Sequence, residues 1–498
     1  MSDKHNHLTA CEPAKVRSVA VGGKFPWGTL IALFSTVLCF VGVSMSGRLG
    51  LVLSSLGTLG FGYVVALIGR RALPESITWV ALISIYCSQV AFQVLIGALD
   101  IPPLGGAGFD IYANIGVLTL SQLCLLAGNL LAALALSAFS QSRRRSAALF
   151  RSKLSLRMQV YLVMALILVF LRMVVAMPVV LPETARYLSL VLTDKLEGAC
   201  FFAGWFSADM GGVGIWCFAL LIGNAITGGL LGSRYGIGVL GLYMVGRLAS
   251  PRERYRRRVV VLCAVLIVPA LLMFSAIGEL RGMIGRGKVD LLNTSTFTML
   301  VDSTVQAGSA GNSQGEFLWA LSRLYAWPNA AVVELTPEEV PYRGYKESLS
   351  EWKFYINPNM GKDYEQYEDT LFQKGIGHYH GADYGYTNVP GNTSEFGIVA
   401  DGWSTGGALG VILLSFLVTF GICGAERGVT YIRISSAGAL LFSCILCSIS
   451  LLSYVNPAPV TLKAVLTASI AWLPIIKCLD AATNHLVGAK SERATTPM

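Results

Sequence analysis

The chain has 498 residues, of which 54% are hydrophobic and 13% charged, and its net charge is +9. A soluble domain carries about 25% charged residues, so this composition excludes a water-facing globular protein of this size. The basic surplus does not point to nucleic acid. It sits in short loops between apolar blocks: Arg70-Arg71, Arg143-Arg144-Arg145 with Arg151, Lys153 and Arg157, and Arg252 to Arg258. That is the positive-inside distribution, which sets membrane topology.

The apolar blocks run to about 20 residues, enough to cross the hydrocarbon layer as helices. Inside lipid the backbone must satisfy its own hydrogen bonds, which favours helices. The alternating pattern of a membrane barrel is absent. The fold class expected is therefore an all-α polytopic membrane protein.

Residues 1–24 are polar and carry Lys15, Arg17 and Lys24. They are expected to form a cytoplasmic tail ahead of a retained first span, in preference to a long signal peptide. Spans are expected at Gly28–Ser46, Gly50–Gly69, Ile77–Leu99 and Ile115–Phe139. These four return the chain inside at the triple arginine. Met158–Leu181 then goes out. Between Pro182 and Leu248 the parity demands an odd number of crossings. Three are favoured: Tyr187–Ser207, Gly212–Leu231 and Gly236–Leu248. A single crossing also satisfies the count. Val259–Gly278 goes out again, completing spans one to nine within residues 25–279.

Residues 280–403 follow as a large polar segment, expected in the periplasm. It is too long for a connecting loop. Ser404–Cys423, Ser435–Leu452 and Leu462–Ile476 complete about twelve spans within residues 404–479, before a cytoplasmic tail at 480–498. The 11 cysteines are scattered, and none lies in the polar segment, so disulfides do not staple it.

The stretch Tyr342 to Tyr386 is dense in aromatic residues, Trp352 among them, with Arg343, Lys346 and Lys353 interleaved. One reading is an interfacial aromatic belt with a small core. The other is a carbohydrate platform, since sugar rings stack their C–H faces on aromatic faces. His378 and His380 would share one face of an extended strand. With Asp383 they make a weak metal signal; one of them as a general base is the better reading. Arg172 lies late in the fifth span. An intramembrane arginine is functional by default, unless it snorkels to the interface.

Two patches carry a family resemblance. Gly229-Leu-Leu-Gly-Ser-Arg-Tyr-Gly236 resembles the Gly-Ser-Arg-Gly patch of bacterial oligosaccharide repeat-unit polymerases of the Wzy type, and of the related O-antigen ligases. Asn392-Thr-Ser-Glu-Phe-Gly-Ile-Val-Ala-Asp-Gly-Trp-Ser-Thr-Gly-Gly-Ala-Leu-Gly410 resembles the family's approach to the helix after its large periplasmic loop. Between them, Leu321-Ser-Arg-Leu324 is similar to a loop arginine patch of these enzymes. The order of parts matches over roughly residues 150–480. Tyr235 stands where a small residue is common, and the family's proline-rich loop stretch is reduced here to Trp352-Lys353 and Asn357-Pro358.

The resemblance implies a GT-C-like membrane glycosyltransferase in a bacterial inner membrane. Its substrate would be a polyprenyl-diphosphate-linked oligosaccharide, polymerised at the periplasmic face into a surface polysaccharide or exopolysaccharide. It implies no cofactor and no metal, and allows a chain-length regulator as a further partner beside the lipid bilayer. Arg234 and Arg323 would clamp the leaving diphosphate, because arginine's planar fork suits phosphate oxygens. Asp401, Glu395 and His378 are the candidate bases. Arg172, Arg343, Lys346, Trp352, Lys353 and His380 are the candidate substrate contacts. Asp401 has a simpler alternative, capping a helix that begins near Ser404. A glycan ligase, a flippase or exporter of lipid-linked oligosaccharide, and a non-enzymatic envelope component are the competing readings.

Overall fold

The computed structural model describes residues 27–74, 76–99, 114–138, 159–163, 166–167, 197–207, 210–230, 235–250, 257–262, 264–266, 397–432, 434–454 and 456–495, with isolated residues between 295 and 352. Among these the secondary structure is helical throughout. The main elements are α1 (Trp27–Ser44), α2 (Arg48–Ala72), α3 (Ile77–Leu99), α4 (Ile115–Ala138), α5 (Glu197–Phe206), α6 (Gly212–Leu230), α7 (Tyr235–Ala249), α8 (Ile398–Tyr431), α9 (Ser436–Leu452) and α10 (Ala458–Thr495).

Six of these, α1 to α4, α8 and α10, are long and apolar enough to cross a membrane, and α6, α7 and α9 contain shorter apolar runs. The protein is therefore a multi-pass membrane protein. Its exposure pattern agrees. Leu33, Phe34 and Phe40 of α1 and Ile215 and Trp216 of α6 face outward. Ser54, Ser55 and Thr58 of α2, Gln93 of α3, and Gln122 and Asn129 of α4 face inward. Lipid tails tolerate the first set; in the second, Ser54 and Thr58 bond to carbonyls of their own helix, and Ser55, Gln93, Gln122 and Asn129 make interhelical hydrogen bonds.

The apolar runs locate the helices closely, and the differences lie at their ends. α8 starts at Ile398, so 398–403 belong to a buried helix and not to the polar segment. Asp401, Ser404 and Thr405 lower the apolarity of this stretch, but Ser404 and Thr405 return their hydroxyls to the Asp401 carbonyl and so cost little to bury. α10 continues to Thr495, so most of the expected C-terminal tail is helical. Of the expected Tyr187–Ser207 crossing, α5 is the main described part, and most of the expected fifth and ninth spans also lies outside the described residues.

Helix packing follows small residues. Gly204 of α5 lies against the Tyr243 carbonyl of α7, and Gly246 of α7 lies against the Phe201 carbonyl of α5. A methyl group at either position would collide with backbone, so the two helices cross in near contact. α4 runs along α8, and α2 packs between α1, α3 and α4.

Buried charges sit at helix ends. Glu426, near the end of α8, accepts from the Ile77 backbone N–H at 3.1 Å and from the hydroxyls of Ser76 and Thr78. It thereby caps the start of α3. The next residue, Arg427, donates to the Leu136 carbonyl and, at 3.2 Å, to the Ala72 carbonyl. It thereby caps the ends of α4 and α2. Each charge meets the helix end of opposite partial charge. Asp480 of α10 likewise accepts from Ser435 N at the start of α9 and from the Tyr161 hydroxyl. All these contacts gather at one end of the bundle, which Arg70 and Arg71 also mark.

Replacing Glu426 with alanine should lower the thermal midpoint of the detergent-purified protein, with a cost of about 2–4 kcal/mol, because an N–H and two hydroxyls lose their acceptor. Glu426→Gln keeps an acceptor and should cost clearly less. Equal midpoints for the alanine variant and the parent would show that the cap contributes nothing.

Candidate functional site

The opposite end of the bundle is built differently. α8 breaks at Gly406 and Gly407, whose backbone angles leave the helical region. Gly407 has φ of 58° and ψ of −142°, a combination essentially reserved for glycine. Gly402 lies within 2.6–2.7 Å, measured from an added Cβ, of Val411 backbone atoms. In a straight helix residues 402 and 411 would be about 13 Å apart. The chain therefore turns back at the glycine pair. Residues 398–405 form a short arm beside the start of the long arm, residues 408–431. Every residue of the short arm is buried.

Asp401 is on this short arm and is 1% exposed. Its Oδ2 accepts from the Ala458 backbone N–H at 3.0 Å, at the first residue of α10. The capping role foreseen for Asp401 is thus real, but its helix is α10. The helix of Asp401 itself begins earlier, after Gly397. A carboxylate here also compensates the positive end of the α10 dipole.

The polar segment reaches the same corner. The Tyr345 ring lies directly over Gly406, where any Cβ would collide with its hydroxyl. The Thr405 and Ser348 hydroxyls are hydrogen-bonded to each other at 2.9 Å, and both residues are buried. Trp352 packs against the apolar core. Lys346 is exposed, and Tyr345 remains 52% exposed. One short stretch of the segment is therefore seated on the elbow of α8, with part of its aromatic surface outward.

Of the candidate residues, Asp401 lies on the short arm of the elbow, while Lys346 and Trp352 belong to the stretch whose Tyr345 and Ser348 touch it. Arg234, Arg323, Glu395, His378, Arg172, Arg343, Lys353 and His380 lie outside the described residues. Tyr345 falls in the aromatic stretch singled out from the sequence, whereas Ser348 and Thr405 were given no role there. The Gly406-Gly407 pair was the available signal, because adjacent glycines in an apolar run mark a break. Nothing in the sequence indicates which residue rests on it.

Among the described residues no group of three or more His, Cys, Asp or Glu side chains is arranged to hold a metal. Cys444 and Cys447 stand in Cys-x-x-Cys spacing on α9, and both are free thiols within the bundle. Compared with protein families, curated proteins and solved structures, the chain finds no match.

Asp401→Ala should destabilise the purified protein by about 0.5–2 kcal/mol through loss of the cap, whereas Asp401→Asn keeps an acceptor and should stay near the parent. Thermal midpoints of both variants check this. Gly407→Ala should cost about 1–3 kcal/mol, since alanine cannot relax into that backbone conformation. A Gly407→Ala midpoint equal to the parent's would contradict the elbow.

Proposed function

We propose that the protein polymerises polyprenyl-diphosphate-linked oligosaccharide units at the periplasmic face of a bacterial inner membrane, through about twelve spans and one large periplasmic segment. The observation that carries the reading is the seating of Tyr345 and Ser348, from the aromatic stretch, on the α8 elbow. It holds a sugar-compatible surface at the membrane end opposite Arg70, Arg71 and the Glu426–Arg427 caps. The positive-inside rule makes that basic end cytoplasmic, so the elbow is periplasmic. The Gly-Ser-Arg and Ser-Glu-Phe-Gly resemblances point the same way.

In the reaction, a hydroxyl oxygen of the incoming unit bonds to the anomeric carbon of the growing chain. The bond from that carbon to the diphosphate oxygen breaks, and the lipid diphosphate leaves with the electron pair. The hydroxyl proton goes to a side-chain base. Arg234 and Arg323 stabilise the departing charge. One oxygen of Asp401 is already taken by the start of α10. We therefore assign Asp401 to positioning and the proton to Glu395 or His378. Lys346, Trp352, Arg172, Arg343, Lys353 and His380 contact the glycan or its carrier.

A transport reading has its own support. Buried polar side chains recur through α2, α3, α4 and α8, as in the Thr419–Asn129–Tyr454 contacts. Interhelical packing accounts for such contacts without transport.

Deleting the gene should leave cells that display single repeat units in place of long polymer, read on a glycan gel. Complete absence of surface glycan with lipid-linked units trapped inside would make the protein a flippase. Long polymer retained on its lipid carrier would make it a ligase. Arg234→Lys should reduce chain length, because lysine keeps the charge and loses the fork. Parental polymer from that variant would remove Arg234 from the clamp.

A further inference from the structure

The apolar runs of α9 and α10 suggest two crossings, but their contacts place the turn between them well inside the bundle. The Tyr454 hydroxyl, in that turn, donates to the Leu82 carbonyl of α3 at 3.2 Å and accepts from Asn129 Nδ2 of α4 at 3.2 Å. From Leu82 to the outer end of α3 at Leu99 is about 25 Å at the helical rise, and from Asn129 to the outer end of α4 at Ile115 about 21 Å. A tyrosine side chain spans far less than either distance.

The basic end of the bundle gives the same height. Ser443 of α9 lies beside Glu426, which caps the start of α3. From Ser443 the helix continues only to Leu452, about 14 Å, whereas α3 rises about 33 Å from Ile77 to Leu99. The long arm of α8 rises about 27 Å from Glu426 to Ala408. α9 therefore ends near half the height of α3, and well below the elbow. Its first turns lie on the other side of the Glu426 level, by the Asp480 contact to Ser435.

Burial agrees with this depth. A connection at the membrane surface is normally exposed. Here Ser453 and Tyr454 are each 2% exposed, Ala458 is 0% exposed, and Pro457 and Pro459 are buried. Irregular backbone at membrane depth is tolerated where protein covers it. Part of the cover is the short arm of α8, whose Asp401 holds the Ala458 N–H and whose Val399 and Ala400 are fully enclosed.

We propose that α9 and α10 form a re-entrant hairpin, which enters from the cytoplasmic side, turns near the middle of the membrane and carries the short arm of α8 on its tip. Two hairpins then share this position in the bundle. The α8 elbow fills the outer half and α9–α10 the inner half, and they meet at the Asp401–Ala458 bond. The tip acts as a pedestal that sets the height of the elbow, and so of the Tyr345 seat above it. The hairpin replaces two of the twelve expected crossings and leaves the sidedness of every other segment unchanged. It is independent of the polymerase reading.

Two measurements test it. A density map of the full-length protein in a lipid nanodisc should show the Tyr454 backbone close to the centre of the disc. A turn level with the outer headgroups overturns the proposal. In spheroplasts, a membrane-impermeant maleimide should label Ser46→Cys, in the exposed connection between α1 and α2, above the background of the parent's own thiols. Asn456→Cys should label no faster than that background, while a maleimide added after unfolding in detergent should label both variants. Labelling of Asn456→Cys in spheroplasts at the rate of Ser46→Cys also overturns it. The map requires no variant, so the test stands even where Asn456→Cys fails to fold.

Discussion

A helix inside a bilayer still has two ends, and each end leaves backbone groups without internal partners. Where those ends are buried, water cannot supply the missing bonds. Most of the architecture around α8 answers this one constraint. Glu426 supplies an acceptor to the start of α3, and Arg427 supplies donors to the ends of α2 and α4. At the other end of the same helix, Asp401 supplies an acceptor to the start of α10. Asp480 completes the set at the start of α9. Charges that would be costly in lipid become affordable when each meets a helix end of opposite sign.

This arrangement also explains why the two ends of α8 behave differently. The long arm is tied to three helices through neighbouring residues, so it cannot turn without releasing all of them. The short arm is tied through Asp401 and through the seat of Tyr345 and Ser348. Between the two arms lies the glycine pair.

Much of the bundle was legible in the sequence, because hydrocarbon thickness imposes a length that apolar runs reveal directly. Ile77–Leu99 is predicted to the residue, and α1, α2, α4, α6, α7 and α9 to within a few. The short arm was missed for a definite reason. Its polar residues are silent inside the bundle, since Ser404 and Thr405 satisfy themselves locally, yet they count against burial in any reading of composition. The caps were illegible for another reason. Glu426-Arg427 looks like an ordinary polar boundary after an apolar run, and the partners that give it meaning belong to distant helices. The site was legible in kind more than in detail. Lys346, Trp352 and Tyr345 stood out for their chemistry as part of the aromatic, basic stretch, whereas Ser348, which meets Thr405, carries no signal of its own.

The Glu426 cap has a consequence for how the protein is made. Ile77 and Glu426 are 349 residues apart. At about 5–20 residues per second of synthesis, α3 waits roughly 20–70 s after entering the membrane before its cap exists. The end of α2, 355 residues before Arg427, waits slightly longer, and the end of α4, 291 residues before it, somewhat less. During that interval the first four helices must be held by their own small-residue packing, by lipid headgroups or by the insertion machinery. The native bundle can close only when the third-last described helix arrives, so α8 is the step that commits the chain to its final assembly.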